Sequence, residues 1–126
     1  MEPLVIQQKI EDMIGYGLVV LRNFPKAERH VLGADIRAAM YGLLRLVVAC
    51  NQRHYKRTAL TEIDIEVAVL KSLVRIAHTL KLIPFRQYEN WSRMLVEAAA
   101  KIVQDAAAAA SETSTELDPI EPPVAS

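Results

Sequence analysis

The residues of this chain that could do chemistry are chiefly its cations. Lys71 and Arg75 stand four apart, so on a helix they share one face and repel each other mildly. Such a pair suits an anionic ligand unless an acid lies opposite. The alternatives are a solvated face, or salt bridges to Asp64 and Glu66. Arg37 and Arg45 flank Tyr41 at the same spacing, and Arg53, Lys56 and Arg57 crowd a second stretch. A basic helix face of this kind binds phosphate without sequence preference and with steep salt dependence.

Other chemistries lack their parts. The sequence has no Gly-rich phosphate loop, no His-Glu-x-x-His and no Cys-x-x-Cys. Its three histidines, His30, His54 and His78, are far apart, and no paired Glu-x-x-His motif suggests a di-metal bundle. Asp64 and Glu66 are two apart and point to different faces of a helix. No catalytic residue, metal or cofactor is expected, and the chain reads as a non-enzyme. The single cysteine, Cys50, falls on an apolar stripe and reads as a buried thiol in a reducing compartment. Trp91 and Tyr88 read as core or interface anchors.

The elements that must position these cations are helices. Of the 126 residues, 52% are hydrophobic, 6% are aromatic and four are Gly. The spacing predicts a first helix from about Pro3 to Asn23, with Ile6, Ile10, Met13, Gly17, Val20 or Leu21, and Phe24 on one stripe. Gly15 and Gly17 weaken it unless a glycine there lets a neighbouring helix come close. Pro25 ends that pattern and suits the start of a second helix, about Lys26 to Arg53. A third runs from Thr58 or Thr61 to about Leu82, with Thr61-Glu62-Ile63-Asp64 resembling a capping box. Its apolar residues cover more than one face, so it needs partners on two sides. Pro84 starts a fourth helix that runs to about Ala108. The short connections make neighbours antiparallel.

The expected fold is therefore all-α, an antiparallel up-down four-helix bundle over residues 1–108. A disordered acidic, Pro-containing tail follows over 109–126. All 15 Lys and Arg precede residue 102, against 11 carboxylates in residues 1–105. The body thus carries +4, and the four remaining acids give the tail −4. The near-neutral whole hides a basic body, which permits a nucleic-acid partner. No basic leader opens the chain, and its longest uncharged run before the tail, residues 13–21, cannot span a bilayer. A cytoplasmic, membrane-free protein is expected.

Three segments carry a resemblance. They are Phe24-Pro-Lys-Ala-Glu-Arg-His-Val-Leu-Gly33 with Ile36-Arg37, Leu60-Thr-Glu-Ile-Asp-Ile-Glu66 through Leu70, and Leu80-Lys-Leu-Ile-Pro-Phe-Arg-Gln-Tyr-Glu89. Over roughly residues 4–105 the chain resembles the four-helix-bundle family of accessory variability determinant (Avd) proteins of diversity-generating retroelements. Proteins encoded in 23S rRNA intervening sequences share that family. Where the family often carries glycine and tryptophan near the end of the last helix, this chain has alanines, and its acidic tail lies outside the pattern.

The resemblance implies a ring-shaped homopentamer that binds the retroelement's reverse transcriptase and its template RNA and supports mutagenic cDNA synthesis. It places Lys71 and Arg75 at positions that matter for binding the polymerase. It gives Arg37 no role. DNA remains an alternative ligand for the basic strip. A structural oligomer of the intervening-sequence type, with no polymerase partner, is the alternative function.

Overall fold

A computed structural model describes the backbone of residues 3–52 and 57–116, and the side chains of 5–50 and 59–104. Four long helices and one short one account for nearly all of it. They are α1 (Pro3–Arg22), α2 (Lys26–Arg29), α3 (Leu32–Gln52), α4 (Arg57–Thr79) and α5 (Phe85–Glu116). The long helices pack in the cyclic order α1, α3, α4, α5, each against its two neighbours, which is the antiparallel four-helix bundle expected.

The core is built from one stripe of each helix. Ile6, Ile10, Met13, Val20 and Leu21 come from α1, and Ile36, Met40, Leu43, Val47 and Cys50 from α3. Leu60, Ile63, Val67, Leu70, Val74 and Ala77 come from α4, and Trp91, Leu95, Ala98 and Ile102 from α5. Steps of three and four keep each set on one side of its helix. Each large side chain so buried contributes roughly 1.5–3 kcal/mol. No polar or charged residue joins them among the described side chains.

Gly17 is the glycine that lets two helices close. A Cβ there would stand 2.6 Å from Cζ2 of Trp91 and 2.7 Å from Sδ of Met40. The indole fills that space and donates its Nε1–H to Sδ of Met13 at 3.4 Å. Gly15, two residues earlier, faces outward, and a Cβ there would meet no atom within 4 Å.

The second helix departs from expectation by breaking in two. The last turn of α1 tightens through Asn23 N–H to Val20 O and Phe24 N–H to Leu21 O, and Pro25 has no N–H to continue the ladder. Pro25 instead caps the single turn α2, its carbonyl accepting from Glu28 and Arg29. α3 begins only at Leu32, where Val31 O accepts from Asp35 N–H. Gly33 permits the corner, since a Cβ there would lie 3.3 Å from the Glu28 carbonyl oxygen.

α4 begins at Arg57, so Thr61 lies in its second turn and is not the N-cap. It ends at Thr79 rather than Leu82. Lys81 has φ 65°, and the paired bonds Lys81 N–H to His78 O and Leu82 N–H to Ala77 O close the helix end. This is the Schellman arrangement, with lysine in the left-handed position usually given to glycine.

α5 runs past Ala108 to Glu116. The five alanines 106–110 have the best helix propensity of any residue, and they carry the backbone through Ser111-Glu-Thr-Ser-Thr. Residues 117–126, the rest of the expected tail, lie outside the described residues.

Candidate functional site: the outer faces of α4 and the basic end

α4 presents three faces. Its core stripe is buried. On the opposite side, Ile65, Val69, Ile76 and Leu80 are 54%, 44%, 46% and 56% exposed, spaced four, seven and four apart in a single line. The surplus apolar surface anticipated for this helix is therefore real and continuous. Among the described residues, no helix is long and apolar enough to cross a membrane.

The third face carries Lys71 and Arg75, both exposed. His78, one turn further, shows where this face points, because its ring stacks on Tyr88 of α5 at 4.3 Å and 3°. Lys71 and Arg75 thus lie on the α5 flank of α4. Among the described residues neither side chain forms a hydrogen bond or ion pair. The salt bridges to Asp64 and Glu66 that could have explained them do not form, whereas Arg93 and Glu97 on α5 do pair, at 3.3 Å. Two like charges one turn apart, with no carboxylate partner, leave an unbalanced positive strip.

The other predicted cations lie elsewhere. Arg37 is half-buried, Tyr41 and Arg45 are exposed, and all three follow one line on α3. The neighbouring positions Gly33 and Met40 meet α1, at Leu21 and Gly17, so Arg37 lies on the α1 flank of α3. The structure therefore separates this group from Lys71 and Arg75 across the bundle. Arg53 and Lys56 lie outside the described residues, as does His54. Of Arg57 only its place at the head of α4 is described. That place is roughly 21 Å along the axis from Lys71, at 1.5 Å per residue.

Cys50 is 2% exposed, as its place on the stripe suggested. His30 is exposed and apart. Among the described residues no three His, Cys, Asp or Glu side chains gather where a metal could bind.

One concentration of charge was not foreseen. The up-down order brings the end of α1, all of α2, the start of α3, the end of α4 and the start of α5 to one end of the bundle. Arg22, Lys26, Arg29, Lys81 and Arg86 lie there, all exposed, and among the described residues none of their side chains forms a hydrogen bond or ion pair. Three carboxylates, Glu28, Asp35 and Glu89, share that end. An open cleft of about 480 Å³ lies between the segments, lined by Asn23, His78, Lys81, Leu82, Ile83, Pro84 and Gln87. Nothing in the local sequence pattern announces it, since its cations come from segments some 60 residues apart.

A family model described as bAvd-like matches residues 4–105. Comparison with curated proteins and with solved structures gives no match. The matched stretch includes most or all of each long helix, the Phe24-Pro25 corner and the strip on α4. By this match over most of its length, the chain belongs to the bAvd-like family.

Proposed function

We propose that this protein is a non-enzymatic accessory subunit of a diversity-generating retroelement, binding its reverse transcriptase and template RNA to support mutagenic cDNA synthesis. The bAvd-like match carries the reading. Two features of the bundle agree with it. The exposed line Ile65–Val69–Ile76–Leu80 suits burial against further copies of the chain, in a ring of five by analogy with the family. The unpaired Lys71 and Arg75 supply a positive strip beside that line for the polymerase or for phosphate.

The test is co-purification with the neighbouring reverse transcriptase and its template RNA at low salt. Association is expected, and its absence refutes the reading. The double change Lys71→Glu and Arg75→Glu is expected to weaken association at least tenfold, by reversing two charges in a complementary interface. The far-UV helix signal is expected to stay unchanged, because both residues are exposed. Loss of that signal would make the pair structural instead. A structural oligomer with no polymerase partner is the alternative. An adjacent reverse-transcriptase gene with a template repeat excludes it.

A further inference from the structure

The apolar line on α4 has an acidic edge. At about 100° per residue, Ile65, Val69, Ile76 and Leu80 point outward on the α3 side of α4, away from His78 and α5. They belong to the bundle face that α3 and α4 share. Glu62 and Glu66 lie along that same edge. Among the described residues, neither carboxylate forms a hydrogen bond or ion pair.

α3 offers the complement on the adjoining face, the one it shares with α1. Tyr41 stands there 42% exposed, with Arg37 and Arg45 one turn to either side. Neither guanidinium forms a hydrogen bond or ion pair among the described residues. Tyrosine and arginine are among the side chains that most often anchor protein interfaces. Faces that adjoin round a four-helix bundle stand at roughly 90°. Identical chains that join one such face to the other turn by roughly 90° at each contact, and close into a ring of about four or five.

A closed ring has no shift along its axis, so it fixes which residues meet. α3 ends at Gln52, and α4 starts at Arg57 and runs antiparallel to it. Counting back from there, Arg45 stands level with about residue 64, Tyr41 with about 68 and Arg37 with about 72. With the ring axis along the helices, these levels also hold between neighbouring copies. Tyr41 then falls between Ile65 and Val69, and Arg45 between Glu62 and Glu66. Aromatic carbon meets methyl groups, and a guanidinium meets carboxylates, at one and the same setting.

We propose that the outer face of α3, centred on Tyr41, receives the apolar line on α4 of the next copy of this chain, with Arg45 seated between that copy's Glu62 and Glu66. The contact rests on the reading that further copies cover the α4 line, and it names the face that does so. It gives Arg37 and Arg45 a protein partner in place of phosphate. Lys71 and Arg75, on the α5 flank of α4, stay uncovered.

Sedimentation of the full chain at fixed concentration tests the contact. Arg45→Glu brings three carboxylates together and is expected to weaken association roughly tenfold or more, moving the mass toward a single 14.1 kDa chain. The far-UV helix signal should not change, because Arg45 is exposed. Adding Glu62→Arg and Glu66→Arg to that chain reverses every charge of the contact and is expected to restore the parent mass. In a mixture, Tyr41→Cys chains should be joined to Val69→Cys chains by a short bifunctional thiol reagent, with Cys50 out of reach in the core. Parent-like mass in Arg45→Glu overturns the proposal, as does a loss that the reversed carboxylates do not restore. Assembly without the link between positions 41 and 69 also overturns it. If Arg45→Glu keeps the parent mass but loses binding to a labelled oligoadenylate, the face belongs to nucleic acid and the proposal fails. A parent that sediments as one chain refutes both the contact and the covered α4 line. Failure of polymerase association, by contrast, leaves the sedimentation result intact.

Discussion

Replacing Gly17 by alanine should destabilise this bundle, whereas the same change at Gly15, two residues away, should stabilise it. Alanine gains about 1 kcal/mol of helix propensity over glycine at either position. At Gly15 nothing opposes that gain, because the added methyl meets no atom within 4 Å. At Gly17 the methyl lands 2.6 Å from the Trp91 ring and 2.7 Å from the Met40 sulfur. Comfortable carbon contacts lie at roughly 3.5–4.0 Å, so something must move by about 1 Å.

The Met40 thioether can swing, but Trp91 is fully buried and tied to Met13, so its ring cannot retreat alone. Overpacking of this kind costs roughly 1–3 kcal/mol, and an immobile aromatic neighbour puts it in the upper half of that range. The net loss at Gly17 is then about 1–2 kcal/mol, and the two variants should differ by about 2–3 kcal/mol. In melting temperature that is a gap of about 8–12 °C. Urea unfolding followed by far-UV circular dichroism and by fluorescence of Trp91, the sole tryptophan, measures it. Chain concentration must be fixed, because association shifts apparent stability by mass action. A Gly17→Ala protein as stable as the parent would refute the close-approach argument.

Further outcomes follow from other parts of the fold. Lys81→Gly should raise stability by about 1 kcal/mol, read as a higher urea midpoint at unchanged slope, since glycine takes φ 65° without the side-chain penalty. Cys50 should react with a thiol reagent only as fast as the bundle opens, so its labelling rate should rise steeply across the urea transition. A rapid reaction in buffer would contradict its burial. Ile65→Glu with Ile76→Glu should reduce the particle mass in sedimentation to that of one 14.1 kDa chain and leave helicity unchanged. An unchanged mass would place the subunit contacts elsewhere.

The helices were legible because each core stripe repeats at three and four, and α4 advertised a second apolar face through residues such as Ile65 and Ile76. The value of Gly17 was half legible. Its place on the stripe hinted at a close approach, but only packing distinguishes it from Gly15. The break between α2 and α3 was not legible, because Lys26–Arg29 is a single turn, and one turn looks like the start of a longer helix. α5 outran its expected end because the polar composition of 111–116 spoke for a tail while the alanines before it spoke for helix. Lys71 and Arg75 could be found from spacing alone, being neighbours on one element. The basic end could not, since Arg22, Lys26, Arg29, Lys81 and Arg86 become neighbours only when the chain folds back on itself.

The length of α5 has a consequence for how evenly the bundle holds its helices. Its 32 residues span roughly 48 Å, against roughly 34 Å for the 23 of α4, so its backbone projects beyond the bundle end opposite the basic one. With α5 antiparallel to α4, Lys71 stands level with about residue 93 and Arg57 with about residue 107. The turns of α5 beyond that level run past the start of α4 and lose it as a packing neighbour. Their backbone amides should therefore exchange with solvent well before those of 85–104, which open only with the core.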